Sequence, residues 1–202
     1  MADDILALVQ DSGTNPITYQ YFNCLKNRTV IFNNSVDESI IETVILPLRE
    51  MEQDDSCSPV TLIISTPGGS IMDGMCLCNI IDNYSKPLNI VVYNYAMSMG
   101  SLLLCAGNNN PNVTKICYPF TIGLIHCGET GLRGESSTVE DIMAFNKKFE
   151  KMIKAYVVKN TKITEEEYTW SERHQWFLTA TEMKEKGMID VIIGEESDEI
   201  EE

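Results

Sequence analysis

Residues 61–70 read TLIISTPGGS, a short apolar run that ends at a proline and two glycines. Residues 61–65 are apolar without alternation, which is typical of a strand buried on both faces of a sheet. The proline and the glycines then turn the chain, and residues 70–84 follow a helical pattern of apolar side chains. This stretch therefore predicts a strand, a tight turn and a helix in succession.

Similar units recur along the chain. Further strands are predicted at residues 29–32, 89–93, 116–117, 121–125 and 188–193. Ser/Thr-x-x-Glu patterns at residues 35–38, 137–140 and 179–182 are typical of helix starts. Pro47 predicts a kink or an early end in the first of these helices, and the second is predicted to be long. Apolar strands alternating with helices predict an α/β fold with a largely parallel sheet covered on both faces.

The composition limits the classes of function. The 202 residues suffice for one well-buried domain, and the net charge of −15 opposes a phosphate backbone, so no nucleic-acid partner is expected. The apolar runs are far too short to span a bilayer, so no membrane partner is expected either. Residues 1–10 contain two Asp and no basic residue, unlike a secretory signal, so a cytoplasmic protein is predicted.

The seven cysteines fit that location. Their number is odd and several lie among apolar residues, namely Cys76, Cys78, Cys105 and Cys117. Buried, reduced thiols are therefore predicted. Cys76 and Cys78 are separated by one residue, whereas zinc and redox motifs have two residues between their cysteines. Because the chain also has only two histidines, no structural metal site is expected.

Three stretches carry the residue types that acyl transfer requires. The Pro-Gly-Gly turn can present backbone N–H groups to a ligand, although a plain tight turn also explains it. Ser98 follows a predicted turn at residues 95–97 and opens a predicted helix, so it is either a nucleophile facing the positive helix end or an ordinary N-cap. His126 follows an apolar strand and is either a catalytic base or a packed, hydrogen-bonded side chain. Together the three favour covalent acyl transfer.

Five ordered motifs resemble those of the Clp protease proteolytic subunit family, whose fold is crotonase-like. They are the Pro-Gly-Gly strand end at residues 63–70, residues 96–100 around the serine, residues 124–126, the glycine-flanked loop at residues 131–141, and residues 177–190. The resemblance implies a catalytic domain over residues 25–194, built of repeated β-β-α units with a protruding handle helix. It also implies an entrance segment over residues 1–24, where the likeness is weak, and an acidic tail over residues 195–202.

The resemblance implies a serine peptidase with Ser98 as nucleophile and His126 as general base. The N–H groups of Gly69 and Met99 would form the oxyanion hole. Four residues would border the substrate: Gly68, Ile71, Gly128 and Arg133. No cofactor is implied. Subunits of this family form homo-oligomers of stacked rings, expected to be heptameric, which cleave unfolded polypeptides delivered by a Clp-type ATPase.

The sequence departs from the family at one catalytic position. The third catalytic residue is an Asp two positions before the Phe of a Phe-Leu motif, and here that position is Gln175. An amide can still accept the imidazole N–H, but it lacks the charge that stabilises the imidazolium. The corresponding change in a chymotrypsin-type enzyme costs roughly 10⁴-fold in rate. Glu172 and Asp141 are candidates for a substitute carboxylate, and a slow peptidase is predicted.

Two other functions remain open. Gln175 favours a structural ring subunit, or pseudo-protease, that assembles with an active paralogue, whereas the intact Ser98 and His126 favour an enzyme. An acyl-CoA enzyme of the same superfamily would also use a backbone oxyanion hole. Such enzymes usually rely on carboxylates as acid and base, whereas the best-placed groups here are a serine and a histidine.

Overall fold

The computed structural model describes residues 15–128 and 135–195. Seven strands form one sheet: β1 (Thr29–Phe32), β2 (Val60–Thr66), β3 (Leu88–Met97), β4 (Val113–Cys117), β5 (Ile122–Ile125), β6 (Trp176–Thr179) and β7 (Val191–Ile192). The helices are α1 (Pro16–Lys26), α2 (Leu46–Gln53), α3 (Ile71–Asp82), α4 (Met99–Leu103), α5 (Ser136–Asn160), α6 (Glu165–Ser171) and α7 (Ala180–Glu185). A π-helical segment, Ile41–Ile45, precedes α2.

Strand β3 is shared between two parts of the sheet. Its first half, residues 88–92, pairs in parallel with β2 and β4 within the order β1-β2-β3-β4-β7. Its last residues, 95–97, pair in parallel with β5, which pairs with β6 in the antiparallel sense. The turn predicted at residues 95–97 is therefore wrong, because the pairing with β5 keeps these residues extended. The predicted α/β fold with a largely parallel sheet is confirmed.

The core lies around the central strands. Val60, Leu62 and Ile64 of β2 are fully buried, as are Ile90 and Val92 of β3. Burying an aliphatic side chain of this size stabilises the fold by about 1.5–3 kcal/mol. The residues between them in both strands are partly covered as well, so the central strands are shielded on both faces.

The segment before α2 starts differently from the prediction. The capping box predicted at residues 35–38 is wrong, because Val36 pairs with Gly69 in a parallel bridge instead of entering a helix. Pro47 lies in the first turn of α2, where its fixed φ suits a helix. The π-helical turn directly before it replaces the predicted kink.

The other two predicted capping boxes have opposite outcomes. Thr179 and Glu182 form a capping box at the start of α7, as predicted. The box predicted at residues 137–140 is wrong, because α5 already begins at Ser136. An N-cap residue needs a non-helical backbone, so a serine inside the first turn cannot take that role.

Helix α5 is docked by its C-terminal half. Ile153 and Val157 are buried, and the Tyr156 hydroxyl donates to Asp82 Oδ2 at the end of α3, at 2.8 Å. Desolvation by burial, reinforced by the neighbouring Cys78 thiol, raises the pKa of Tyr156 well above its usual range.

No helix within the two described ranges, α5 included, is long and apolar enough to cross a membrane. Towards its start α5 exposes Ile142, Met143 and Phe145.

The cysteines are all unpaired thiols. Cys78, Cys105 and Cys117 are buried, as predicted, and burial raises the pKa of Cys105 to about 12. The predicted burial of Cys76 is wrong. Residues two apart on a helix do not share a face, so Cys78 points to the core while Cys76 is exposed.

Candidate active site

The turn between β3 and α4 holds Ser98 in a backbone conformation that residues with side chains rarely adopt. Its φ is 53° and its ψ is −119°, and conformations of this kind cost of order 1–3 kcal/mol. Hydrogen bonds fix it there. The Ser98 N–H donates to the Leu124 carbonyl at 2.8 Å, and the Ser98 carbonyl accepts from the N–H groups of Ser101 and Leu102 at 3.0 and 3.3 Å.

The Ser98 hydroxyl is not used to cap the helix. Ser98 occupies the N-cap position of α4, yet its side chain makes no capping hydrogen bond. The side chain is partly exposed and lines a cavity together with His126. The N-cap explanation therefore accounts for the backbone of this residue and leaves its hydroxyl available as a nucleophile.

Behind this turn, the fully buried Ser101 connects β3 to β5. Its hydroxyl donates to the Ala96 carbonyl at 2.7 Å and accepts from the Leu124 N–H at 3.0 Å. The Leu124 carbonyl in turn accepts from the Ser98 N–H, so one residue of β5 is tied to the nucleophile turn twice. Sequence reasoning missed Ser101. A polar residue in an otherwise apolar helix start was the only signal for it.

We expect Ser101→Ala to lower the free energy of unfolding by about 1–3 kcal/mol, because two buried backbone groups lose their partner. Urea denaturation followed by circular dichroism measures the change. Ser171→Ala is the matched control: Ser171 is equally buried, but its hydroxyl donates only to the Tyr168 carbonyl of its own helix, at 2.8 Å. Similar losses in both variants would contradict the connecting role of Ser101.

The Pro-Gly-Gly turn packs against Ser98 from the other side. Gly68 has a φ of 96°, and a Cβ there would lie 2.7 Å from Ser98 Cβ and 2.6 Å from the Met97 carbonyl oxygen. Gly69 has a φ of 145°, and a Cβ there would collide with the Val36 backbone. Both positions therefore require glycine, for conformation and for space.

The Gly69 N–H is turned away from the neighbouring chain segment. The Val36 N–H donates to the Gly68 carbonyl, and the Ser70 N–H donates to the Val36 carbonyl, both at 2.8 Å. In a parallel pairing of this kind, the N–H of the intervening residue points to the opposite side. Gly69 lines the same cavity as the nucleophile, and its N–H has no partner among the described residues.

The second N–H predicted for the oxyanion hole belongs to Met99. A Cβ on Gly68 would lie 2.9 Å from the Met99 nitrogen, so the two turns meet at this group. Met99 is the first residue of α4, where an N–H has no acceptor within the helix. Its side chain is buried against Gly74 of α3, where a Cβ would have no room. This packing fixes the start of α4 next to the glycine turn.

His126 directly follows β5 and lines the same cavity as Ser98, where the sequence predicts it. Its ring is partly exposed. Among the described residues, only His174 has a ring nitrogen in a hydrogen bond, from Nδ1 to the Trp170 carbonyl at 2.8 Å. The structure thus brings the serine and the histidine to one cavity without a direct hydrogen bond between them. In free enzymes such bonds are often long and tighten only when substrate binds.

Gln175 directly precedes β6, and His126 directly follows β5. These strands are antiparallel, and Ile125 opposite Trp176 is the last pair of their register. Position 175 therefore lies at the same end of the β5–β6 pair as His126. The Gln175 side chain is exposed and makes no hydrogen bond within the described part of the chain.

The two candidate substitute carboxylates differ in position. Glu172 lines a cavity together with His126, and its Oε1 lies 3.9 Å from Lys154 Nζ. Asp141 is exposed on α5 and lines neither of the cavities at the serine. Of these two candidates, Glu172 is therefore the one that shares a cavity with the histidine.

Most of the predicted substrate-binding residues surround the nucleophile. Ile71 and Gly128 line both cavities that meet at the serine, and Gly68 packs directly against it. The prediction for Arg133 lies outside the described residues. No group of three metal-ligating His, Cys, Asp or Glu side chains occurs within the ranges that the structure describes.

The two cavities differ in chemistry. The first, of about 590 Å³, is walled by Phe145 and Phe149 of α5, whose rings stack with centroids 5.9 Å apart. The second, of about 550 Å³, has one wall of charged residues, namely Lys147, Glu150, Lys151 and Lys154 of α5 and Glu172 directly after α6. Its remaining lining includes the apolar Leu102, Ile125 and Ile153. Sequence reasoning predicted α5 but missed its contribution to the site, because helical periodicity alone does not tell which face meets the serine.

Comparison with known proteins identifies the family of this chain. Residues 13–196 match the family model described as Clp protease. An ATP-dependent Clp protease proteolytic subunit of Cyanophora paradoxa is 27% identical over 168 residues, covering 83% of this chain and 85% of the relative. An ATP-dependent Clp protease proteolytic subunit 1 of Salinibacter ruber is 24% identical over 193 residues, covering 93% of this chain and 80% of the relative. The mixed α/β architecture is that of the crotonase-like fold predicted from the motifs, and the chain belongs to the Clp protease family.

Proposed function

We propose that this chain is a serine endopeptidase subunit that acts through Ser98 with His126 as general base. The observation that carries the proposal is the state of Ser98. Its backbone is held at positive φ at a helix start, its hydroxyl has no capping bond, and it shares a cavity with the histidine. These features leave the hydroxyl available to a base that approaches it when substrate binds.

The chemistry follows from these positions. Ser98 Oγ attacks the scissile carbonyl and passes its proton to His126, while the N–H groups of Gly69 and Met99 bind the oxyanion. His126 then protonates the leaving amine, and water hydrolyses the acyl-enzyme by the same route. No cofactor takes part, because the serine, the base and the N–H groups supply every step. Without an Asp at position 175, the imidazolium is poorly stabilised and acylation is slow.

The substrates are unfolded polypeptides in an enclosed assembly. Gly68, Ile71, Gly128 and Arg133 border the substrate strand. The exposed apolar side chains near the start of α5, Ile142, Met143 and Phe145, fit a surface that a second subunit covers in stacked, heptameric rings. A Clp-type ATPase delivers the substrate in the cytoplasm, in line with the ATP-dependent relatives.

Labelling with a fluorophosphonate probe tests this proposal. We expect an adduct on Ser98 that is absent in Ser98→Ala and forms at least about 10²-fold more slowly in His126→Ala. His174→Ala is the matched control, because the second histidine stacks on Trp170 and lines neither cavity at the serine. Peptide mapping by mass spectrometry locates the adduct, and size-exclusion chromatography shows that the sample is assembled.

The exposed Gln175 side chain favours a second function, that of a structural ring subunit assembled with an active paralogue. This function requires that no adduct forms on Ser98 in an assembled sample, whereas the peptidase requires one. The same labelling experiment therefore decides between the two.

A further inference from the structure

The second cavity at Ser98 has a cluster of positive side chains, which is unusual in so acidic a protein. The chain has a net charge of −15, yet one wall of this cavity presents three lysines from a single face of α5. Lys147, Lys151 and Lys154 are spaced four and three residues apart, which places them in one row along the helix. Ser98 and His126 line the same cavity, so the lysines and the proposed reacting groups border one space.

Two of these lysines are free to act on a ligand. Lys154 Nζ donates to Thr169 Oγ1 at 2.6 Å and lies 3.7 Å and 3.9 Å from the carboxylates of Glu165 and Glu172. Lys147 and Lys151 are exposed and form no ion pair with any residue in the described ranges. Their charge is therefore not neutralised within this part of the chain.

One carboxylate reduces the positive charge of Lys147 and Lys151. Glu150 lines both cavities and lies on α5 between the two free lysines. Glu172 also lines the second cavity, but it lies near Lys154. With that pair set aside, two cationic side chains and one carboxylate remain, so the described wall of the cavity attracts an anion.

We propose that Lys147 and Lys151 select peptide substrates with an Asp or Glu side chain close to the scissile bond; this inference rests on the proposed peptidase function. A sphere of 550 Å³ is about 10 Å across, and an extended chain advances about 3.3–3.6 Å per residue. The acidic side chain therefore lies within about three residues of the bond that Ser98 attacks.

Peptide binding to Ser98→Ala tests the inference without turnover. The probes are short fluorescein-labelled peptides in which one residue near a central Phe is Glu, Gln or Lys, and fluorescence anisotropy gives the dissociation constants. Exposed ion pairs are individually weak, so we expect the Glu peptide to bind about three- to tenfold more tightly than the Gln peptide. The Lys peptide should bind more weakly than either. Raising the salt concentration to about 1 M shortens the screening length to about 3 Å and should remove the preference.

Charge reversal on α5 provides matched variants. In the Ser98→Ala background, Lys151→Glu or Lys147→Glu should abolish the preference for the Glu peptide, and Glu150→Gln should increase it. Lys148→Glu makes the same change in net charge at an exposed neighbour that lines neither cavity, and it should leave the preference intact.

Three results would overturn the inference: equal binding of the Glu and Gln peptides, no binding of any peptide, or an equal effect of Lys148→Glu and Lys151→Glu. The proposed peptidase function fails on a different observation, the absence of an adduct on Ser98 in the wild-type protein. The two failures are therefore distinguishable.

Discussion

Gln175→Asp is expected to accelerate the acylation of Ser98 by about 10²- to 10⁴-fold. Position 175 lies at the same end of the β5–β6 pair as His126, so we expect a carboxylate there to accept the imidazole N–H. Its charge would stabilise the imidazolium that forms when the base takes the proton, which an amide cannot do. The rate of fluorophosphonate labelling, measured by stopped aliquots and in-gel fluorescence, gives the acceleration directly.

Gln175→Asn is the control for this gain. Asn has the length and shape of Asp and lacks the charge, so it separates electrostatic stabilisation from a change in side-chain length. We expect Asn to label no faster than the wild type. If Asp and Asn variants acylate at the same rate, position 175 does not act on the histidine through its charge.

Gly68→Ala is expected to slow acylation by at least about 10²-fold and to destabilise the fold by about 1–3 kcal/mol. A Cβ at this position would press on Ser98 Cβ, the Met97 carbonyl and the Met99 nitrogen. To relieve these contacts, Ser98, the end of β3 at Met97 or the N–H of Met99 must shift. Labelling kinetics and urea denaturation measure the two effects separately.

Gly194→Ala isolates the contribution of the backbone. Gly194 has a φ of 87°, close to that of Gly68, but a Cβ there would meet nothing within 4 Å. The variant therefore carries a similar conformational strain without the collision. We expect unchanged labelling and a stability loss of about 1 kcal/mol or less. Unchanged labelling in Gly68→Ala as well would show that the turn does not position the serine.

The central part of the fold could be predicted from the sequence. The apolar run at residues 61–65 and the helix after it depend on local patterns, and both were found. The elements that were predicted wrongly are those whose structure depends on pairing with a strand distant in the sequence. Residues 95–97 contain a local turn signal, but pairing with β5 keeps them extended. Val36 follows a good N-cap residue, but pairing with Gly69 excludes a helix there.

The candidate site could be predicted only in part. Ser98, His126 and Gly69 were identifiable because their residue types occur at element ends, and the family resemblance assigned their roles. Two features of the site leave no such trace in the sequence. The link through Ser101 depends on which strands are neighbours in the sheet. The position of Lys147, Lys151 and Lys154 at the second cavity depends on which face of α5 packs against the rest of the domain.

The division of β3 couples Ser98 and His126 to one strand junction. Residues 88–92 lie between β2 and β4, whereas residues 95–97 pair with β5, the strand that His126 directly follows. The Leu124 carbonyl of β5 accepts from the Ser98 N–H, so a separation of β5 from β3 would displace His126 and also break a hydrogen bond that holds Ser98. Local opening at this junction would therefore disrupt the arrangement of both residues in a single event, and neither would keep its folded setting without the other.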